Sequence, residues 1–305
     1  VNQFGMSFGI WFEPEMVNLN SKLYAKHPSW ILGPIDQVLG RNQLLLDMAN
    51  PNVQEYLFKK ISAILTDHNV NYIKWDHNRV LPHVDAAQTY RTYELMSRLR
   101  DKFPNVEIES CASGGGRIDF GILKYTQRVW LSDTNDALER LRIQHQASNF
   151  LPMAVTGSHV GPRKCHTSGR IHNIEFRAWV AAQRLMGFEM DPRELTPDEL
   201  SSLKHITQWW KDNRIWRHDA DIHRLNIADN SITAEIQVSR NQDKFVTFVG
   251  IAETSKWSCP IPIRLTGLRP NYRYHVSLLN YSEKTTASRG GSVFDKGEMD
   301  VSGQY

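Results

Sequence analysis

Two aspartates stand directly behind apolar runs in this chain. Asp76 follows Tyr72-Ile73-Lys74-Trp75, and Asp133 follows Val129-Trp130-Leu131-Ser132. A pair of inward-held carboxyl groups can cleave a glycosidic bond, one ionised as nucleophile and the other protonated as general acid. Residues two apart on a strand point the same way, so Lys74 is expected beside Asp76. A cation there would keep the carboxylate ionised. A structural Asp–Lys pair at a strand end accounts for the same spacing. Asp133 sits against apolar walls, which predicts a partly buried carboxyl with a raised pKa, suited to a general acid. Its plainer role is a helix N-cap, but Asp136 is better spaced for that.

The aspartates belong to a repeated pattern. Four apolar runs end in polar clusters: Trp11-Phe12-Glu13-Pro14-Glu15, Lys74-Trp75-Asp76-His77-Asn78-Arg79, Ser110-Cys111-Ala112-Ser113-Gly114-Gly115-Gly116-Arg117, and Ser132-Asp133-Thr134-Asn135-Asp136. Glu13 and Glu15 have the right chemistry but flank Pro14, which marks a shaped loop, and they rank below the aspartates. The glycine run lacks the spacing of a phosphate loop. It reads instead as a tight turn at Gly114 that lets backbone approach a sugar, and Arg117 is either a contact there or a salt-bridging residue. His159, His166 and His172 do not match zinc spacing, so no metal is expected. Nine tryptophans serve a core or stack on sugar rings.

Clusters at the ends of successive strands require a scaffold that brings those ends together. The apolar runs Met6–Phe12, Leu44–Met48, Val70–Trp75, Val106–Ser110, Arg128–Leu131 and Pro152–Val155 alternate with amphipathic helical stretches. Asn50-Pro51 starts one helix, Asp136 another, Arg170 to Met186 reads as a long one, and Thr196–Glu199 is a capping box before a helix ending near Trp210. The alternation predicts βα units around a parallel sheet, as in a (β/α)₈ TIM barrel, whose active site lies at the carboxyl ends of the strands. Six such strands are countable where a closed barrel needs eight. From about residue 217 the pattern changes to Ile222–Asn226, Thr233–Ser239, Lys244–Ile251, Ile261–Leu265 and Tyr272–Leu279, strand-like runs separated by turn residues. The organisation is therefore a catalytic (β/α)₈ portion over 1–216 and a small antiparallel β-sandwich domain over 217–305.

Of 305 residues, the charged ones leave a formal net charge of only +3 with no block of like charge, which argues against nucleic acid or an anionic membrane as partner. No apolar run reaches the roughly 18 residues of a membrane span, and no signal peptide pattern is visible. Three scattered cysteines, Cys111, Cys165 and Cys259, are not a disulfide framework and fit a reducing, cytoplasmic setting.

The segments Trp11–Met16, Tyr72–Arg79, Glu107–Arg117, Val129–Arg140 and His159–Gly161 together resemble glycoside hydrolase family 36, the bacterial α-galactosidases, in the family's own order. The resemblance implies a (β/α)₈ barrel followed by a β domain, retaining hydrolysis of terminal α-galactosyl groups in melibiose- and raffinose-type sugars, no cofactor, and a homo-oligomeric parent. It implies Asp76 as nucleophile and Asp133 as acid/base. Lys74 and Asn78 match polar groups around the sugar, Cys111 the region of the 2-hydroxyl, Trp11 a wall of the galactose pocket and Arg41 a subsite arginine. The chain departs from the family at His77, where Met is usual, and in the order Asp133-Thr134-Asn135-Asp136. The family's first two barrel strands, the second of which carries paired aspartates for the galactose 4- and 6-hydroxyls, have no counterpart here. The chain is therefore expected to be a fragment, shortened at both ends. A galactosyl transferase of the raffinose- or stachyose-synthase kind would use the same residues. A catalytically inactive sugar-binding protein and a metal-dependent hydrolase are the rivals from other classes.

Overall fold

The computed structural model describes residues 1–83, 85–257, 261–280 and 297–304. Its strands are β1 (Gly9–Phe12), β2 (Met16–Asn18), β3 (Gln43–Leu45), β4 (Tyr72–Trp75), β5 (Glu107–Ser110), β6 (Arg128–Val129), β7 (Gly157–Val160), β8 (Leu185–Phe188), β9 (Asp221–Arg224), β10 (Ile232–Val238), β11 (Phe245–Ile251), β12 (Arg273–Ser277) and β13 (Glu298–Ser302). The helices are α1 (Lys22–Lys26), α2 (Pro51–Asp67), α3 (Ala86–Lys102), α4 (Ala137–Ala147), α5 (Ile174–Ala182) and α6 (Pro197–His218).

The α/β portion is built on parallel strands taken in chain order. β1, β4, β5 and β6 form one parallel sheet. A parallel bridge from Val129 to Thr156 continues it towards the parallel pair β7–β8. Helices cover it for legible reasons. In α2 the Asn50 side chain accepts from Asn52 N, Pro51 opens the first turn, and Val53, Leu57, Ile61 and Leu65 are buried. Asp85 caps α3, which buries Leu95, Met96 and Leu99. These side chains pack on Ile73, Trp75, Ile108 and Val129 of the sheet, each fully buried apolar group contributing about 1.5–3 kcal/mol. Thr196 and Glu199 form the expected capping box of α6.

Several sequence expectations need correction. Leu44–Met48 is not a parallel strand: β3 pairs antiparallel with β2, Leu45 opposite Met16. Leu44, Leu45 and Leu46 are all buried, and a continuous apolar run does not reveal its partner. Pro152–Val155 is a 3₁₀ turn, and the strand starts later at Gly157. The helix expected over Arg170 to Met186 spans only Ile174–Ala182, and Leu185–Phe188 pairs with β7 instead. Tertiary pairing there overrides local periodicity. Among the described residues the number of parallel strands thus stays at six, with two members exchanged. Helix α6 continues two turns past Trp210.

After α6 the chain becomes antiparallel, in a three-stranded sheet of order β11-β10-β9 and a β12–β13 pair. Ile261–Leu265 is irregular, and Cys259 lies outside the described residues. β10 is joined to the α/β portion by a buried polar cluster. Arg184 donates from Nη2 to Glu235 Oε2 at 2.7 Å, and Arg217 donates from Nε to Gln237 Oε1 at 2.8 Å. Both arginines and Glu235 are almost fully buried. Removing the single carboxylate leaves two guanidinium groups without it. Glu235→Ala is therefore expected to cost about 3–5 kcal/mol, the usual penalty for breaking a buried ion pair from one side, read as a lowered Tm. A loss under about 1 kcal/mol would mean that the surrounding carbonyls suffice.

Candidate active site

The parallel register aligns the strand ends. Phe12 lies opposite Trp75, Trp75 opposite Ser110, and Ser110 opposite Val129. The ladder continues one residue further: Asp76 N donates to Phe12 O at 2.9 Å, Cys111 N to Trp75 O at 2.8 Å and Trp130 N to Ser110 O at 2.9 Å. Backbone bonds thus fix Asp76, Cys111 and Trp130 side by side on one edge, each in the position where a βα scaffold carries functional groups.

Asp76 is buried at 6% exposure and its carboxylate is well solvated by protein. Trp11 Nε1 donates to Oδ2 at 3.0 Å, Asn78 Nδ2 to Oδ2 at 2.7 Å, and His77 N to Oδ1 at 2.8 Å. Burial alone pushes this carboxyl up, but the bonds from Asn78, Cys111, Trp11 and the His77 amide together hold it below the ordinary aspartate value. The expected neighbour does something else. Lys74 Nζ pairs with Glu109 at 3.2 Å and lies 4.3 Å from the Trp130 ring centre. Glu109, on the neighbouring strand β5, takes the lysine. Neutral hydrogen bonds, not the lysine, keep Asp76 ionised.

Asp133 is exposed, not half-buried. β6 stops at Val129, and the carboxyl stands four residues beyond it in a turn. Trp130 Nε1 donates to Asp133 Oδ1 at 3.1 Å, and Cys111 Sγ lies 3.9 Å from the same oxygen. The strand register also sets Cys111 beside Asp76, whose carboxylate bears on the thiol. One thiol therefore lies between the two carboxyl groups. Burial pushes that thiol up to about 12, with Lys74 opposing the rise and the Asp76 carboxylate adding to it, so it is a neutral donor. Asp136 is the N-cap of α4, accepting from Leu138 N and Glu139 N, which leaves Asp133 free of that duty.

Asn78 links the site to the β1 loop, donating to Glu13 Oε1 at 2.6 Å, and Arg41 Nη1 reaches the same oxygen at 2.9 Å. Arg41 and Asn42 have φ of 52° and 60°, and Gln43 N bonds Gly40 O at 2.9 Å. Two successive left-handed residues make a tight reversal that holds the arginine out, half exposed. Trp11 is 48% exposed with its indole N–H on Asp76. Trp11, Asn78 and Cys111 thus adjoin the two aspartates, while Arg41 is joined to them through Glu13 and Lys74 lies over the Trp130 ring.

Gly114 and Arg117 have other geometry. Gly114 has φ of 82°, and a Cβ on it would lie 2.7 Å from Ser132 Cα and 2.9 Å from Asp133 N. The turn is tight because it presses on the backbone that carries Asp133. Gly114→Ala is expected to shift Asp133 and lower kcat/KM by about 10²-fold, the effect of an ångström-scale misplacement, beyond what its lowered Tm accounts for. Unchanged kinetics would mean the turn tolerates the methyl group. Arg117 does not join the mouth. Its Nη2 pairs at 2.9 Å with Glu15, which also accepts from Trp75 Nε1 at 2.9 Å and Thr92 Oγ1 at 2.9 Å. Burial opposes ionisation of Glu15, but Arg117, His77 and Trp75 hold its carboxyl far below the usual range. This buried cluster supports the site from beneath.

Trp130 and Arg140, which bond Asp133 or the carbonyls that flank it, were not among the expected site residues, and neither were Glu189 and His159 beside the Trp130 ring. His159 Nδ1 meets Glu189 at 3.0 Å and its ring lies 4.3 Å from that of Trp130. The hydrogen bond from His159 brings the Glu189 carboxyl down to about 2. Trp130 and Arg140 lie in the same motif as Asp133, and His159 opens another of the family-like segments, whereas Glu189 carried no signal. Among the described residues no group of three or more His, Cys, Asp or Glu could hold a metal ion, and no helix is long and apolar enough to cross a membrane.

A parallel α/β scaffold with polar side chains gathered beyond the carboxyl ends of its strands defines a broad class of α/β proteins. Within that class, the Melibiase family profile matches residues 1–218, and the chain belongs to that family. It is 39% identical over 300 residues to an alpha-galactosidase of Escherichia coli, covering 95% of this chain and 42% of that protein. It is 34% identical over 295 residues to alpha-galactosidase AgaA of Geobacillus stearothermophilus, covering 90% of this chain and 40% of that protein. Among solved structures, the galactosidase domain of the alpha-galactosidase–sucrose kinase AgaSK superposes with a TM-score of 0.86 at 30% identity, covering 99% of this chain and 41% of that one. A GH36 AgaA variant in complex with raffinose superposes with a TM-score of 0.83 at 32% identity, covering 90% of this chain and 40% of that one. The chain therefore spans about two fifths of the length of its relatives.

Proposed function

We propose that this chain carries the catalytic centre of a retaining α-galactosidase, with Asp76 as nucleophile and Asp133 as general acid/base. The observation that carries the reading is the Cys111 thiol, which the strand register sets beside Asp76 and which lies 3.9 Å from Asp133 Oδ1. Two carboxyl groups flanking one small side chain suit the short separation of a retaining pair, about 5–5.5 Å, better than the wider gap that admits a water.

In the first step an Asp76 oxygen attacks the anomeric carbon as the glycosidic C–O bond breaks. Asp133 gives its proton to the departing oxygen, and a galactosyl ester of Asp76 forms. In the second step Asp133 takes a proton from water, the water oxygen attacks the anomeric carbon, and Asp76 leaves as carboxylate. Trp11, Asn78, Lys74 and Cys111 surround the sugar, and Arg41 reaches towards the leaving group. No metal or cofactor enters either step. Raffinose- and stachyose-type galactosides are the substrate class, in keeping with the raffinose and stachyose bound in structures of AgaA variants.

Completion of the six parallel strands to a (β/α)₈ barrel, a division near residue 216, and a β-sandwich at the carboxyl side belong to the same reading. The free thiols of Cys111 and Cys165 are in keeping with a reducing, cytoplasmic setting. The test is the anomer released first, followed by proton NMR on the natural protein with an α-galactoside. α-Galactose supports the reading, and β-galactose excludes it.

A further inference from the structure

We propose that Arg140 and the indole of Trp130 form a positioning clamp for Asp133, so that Arg140 serves the proton-transfer step without touching the sugar. The proposal rests on Asp133 being the acid/base.

Arg140 belongs to α4 and is buried at 1% exposure. Its guanidinium reaches back to the turn that carries Asp133 and binds it on both sides. Nη2 donates to Ser132 O at 2.6 Å, and Nε donates to Thr134 O at 2.8 Å. Two carbonyls flanking one residue, held by one planar rigid fork, fix the direction of the Cα–Cβ bond between them. The same guanidinium lies over the Trp130 ring, with Cζ 4.2 Å from its centre. Trp130 Nε1 in turn donates to Asp133 Oδ1 at 3.1 Å. The carboxyl is thus held through its backbone by Arg140 and through its oxygen by an indole that Arg140 supports.

Simple structural duty explains the arrangement poorly. The helix itself is capped by Asp136, and burying a guanidinium costs several kcal/mol before its bonds are counted. Arg140 Nη1 has no hydrogen-bond partner among the described residues. Asp133 is exposed at a turn, and an exposed carboxyl on an untethered turn would sample many directions. Proton donation to a leaving oxygen needs one direction, and an ångström of error costs about 10²-fold.

A clamp for the acid has a signature that a general packing role lacks. Leaving groups of low basicity depart without protonation, so a misdirected acid harms poor leaving groups alone. The test compares R140K in the natural protein on an unactivated galactosyl disaccharide and on a dinitrophenyl α-galactoside. R140K keeps the charge and loses the fork. The expected result is a fall in kcat/KM of about 10–100-fold on the disaccharide and of less than about 3-fold on the activated substrate. An equal fall on both, or no fall on either, overturns the proposal. Should R140K not fold, W130F applies the same test, because it keeps an aromatic ring beneath Arg140 while removing the indole N–H along with the second ring. D133A run in parallel separates the two readings. If D133A itself falls equally on both substrates, Asp133 is not the acid and the underlying assignment fails. If D133A is selective and R140K or W130F is not, only the clamp fails.

Discussion

Asp76→Ala is expected to reduce kcat/KM on any α-galactoside by roughly 10⁴–10⁶-fold, the range seen when one member of a catalytic unit is removed. Nothing nearby can replace it. Glu13 is occupied by Arg41, Asn78 and Gln43, and Glu15 is sealed beneath the site with Arg117. The fold should survive, since Asp76 lies at a strand end and its backbone bond to Phe12 O does not involve the side chain. Near-normal turnover by a folded variant would remove Asp76 from the mechanism. The same geometry sets the acid limb of the pH profile. A nucleophile must be ionised, and the folded-state value of Asp76 lies below the ordinary aspartate value. The acid limb set by Asp76 should therefore lie lower than an ordinary aspartate would place it. An acid limb set by Asp76 near neutrality would contradict the hydrogen-bond arrangement.

Asp133→Ala is expected to lower kcat/KM by about 10²–10⁴-fold on an unactivated disaccharide, the usual contribution of positioned acid catalysis. The loss should shrink sharply with a good leaving group, and added azide should then accelerate release of the galactosyl group by attacking without a base. Trp130 and Cys111 would lose a partner, but Asp133 is exposed, so the Tm should change little. Loss of equal size on all substrates would make Asp133 a binding residue.

The candidate site was largely legible in the sequence because its residues sit in short motifs directly after apolar runs. Asp76, Asn78 and Cys111 follow strands whose period was plain, and the parallel register needs no more than that to align them. What was not legible depended on partners distant in sequence. Lys74 was expected at Asp76, yet its partner Glu109 comes from the next strand. Asp133 was expected half-buried, because nothing local reveals that β6 lasts only two residues. Leu44–Met48 looked like a sheet strand, since burial on all sides produces the same apolar run in a hairpin. Leu185 and Met186 looked helical because their pairing with β7, not their own sequence, makes them extended. Arg140 was hidden in an amphipathic helix, and only its reach back to Ser132 and Thr134 sets it apart.

The central claim is that Asp76 forms a covalent bond to the sugar. The most direct test incubates the natural protein with a ring-fluorinated α-galactosyl fluoride, which slows release of the intermediate, and locates the label by peptide mass spectrometry. The account predicts stoichiometric labelling of the peptide containing Tyr72–Arg79 at Asp76, with activity lost in step. Label on Glu13 or Asp133, or turnover with no covalent adduct, would contradict it.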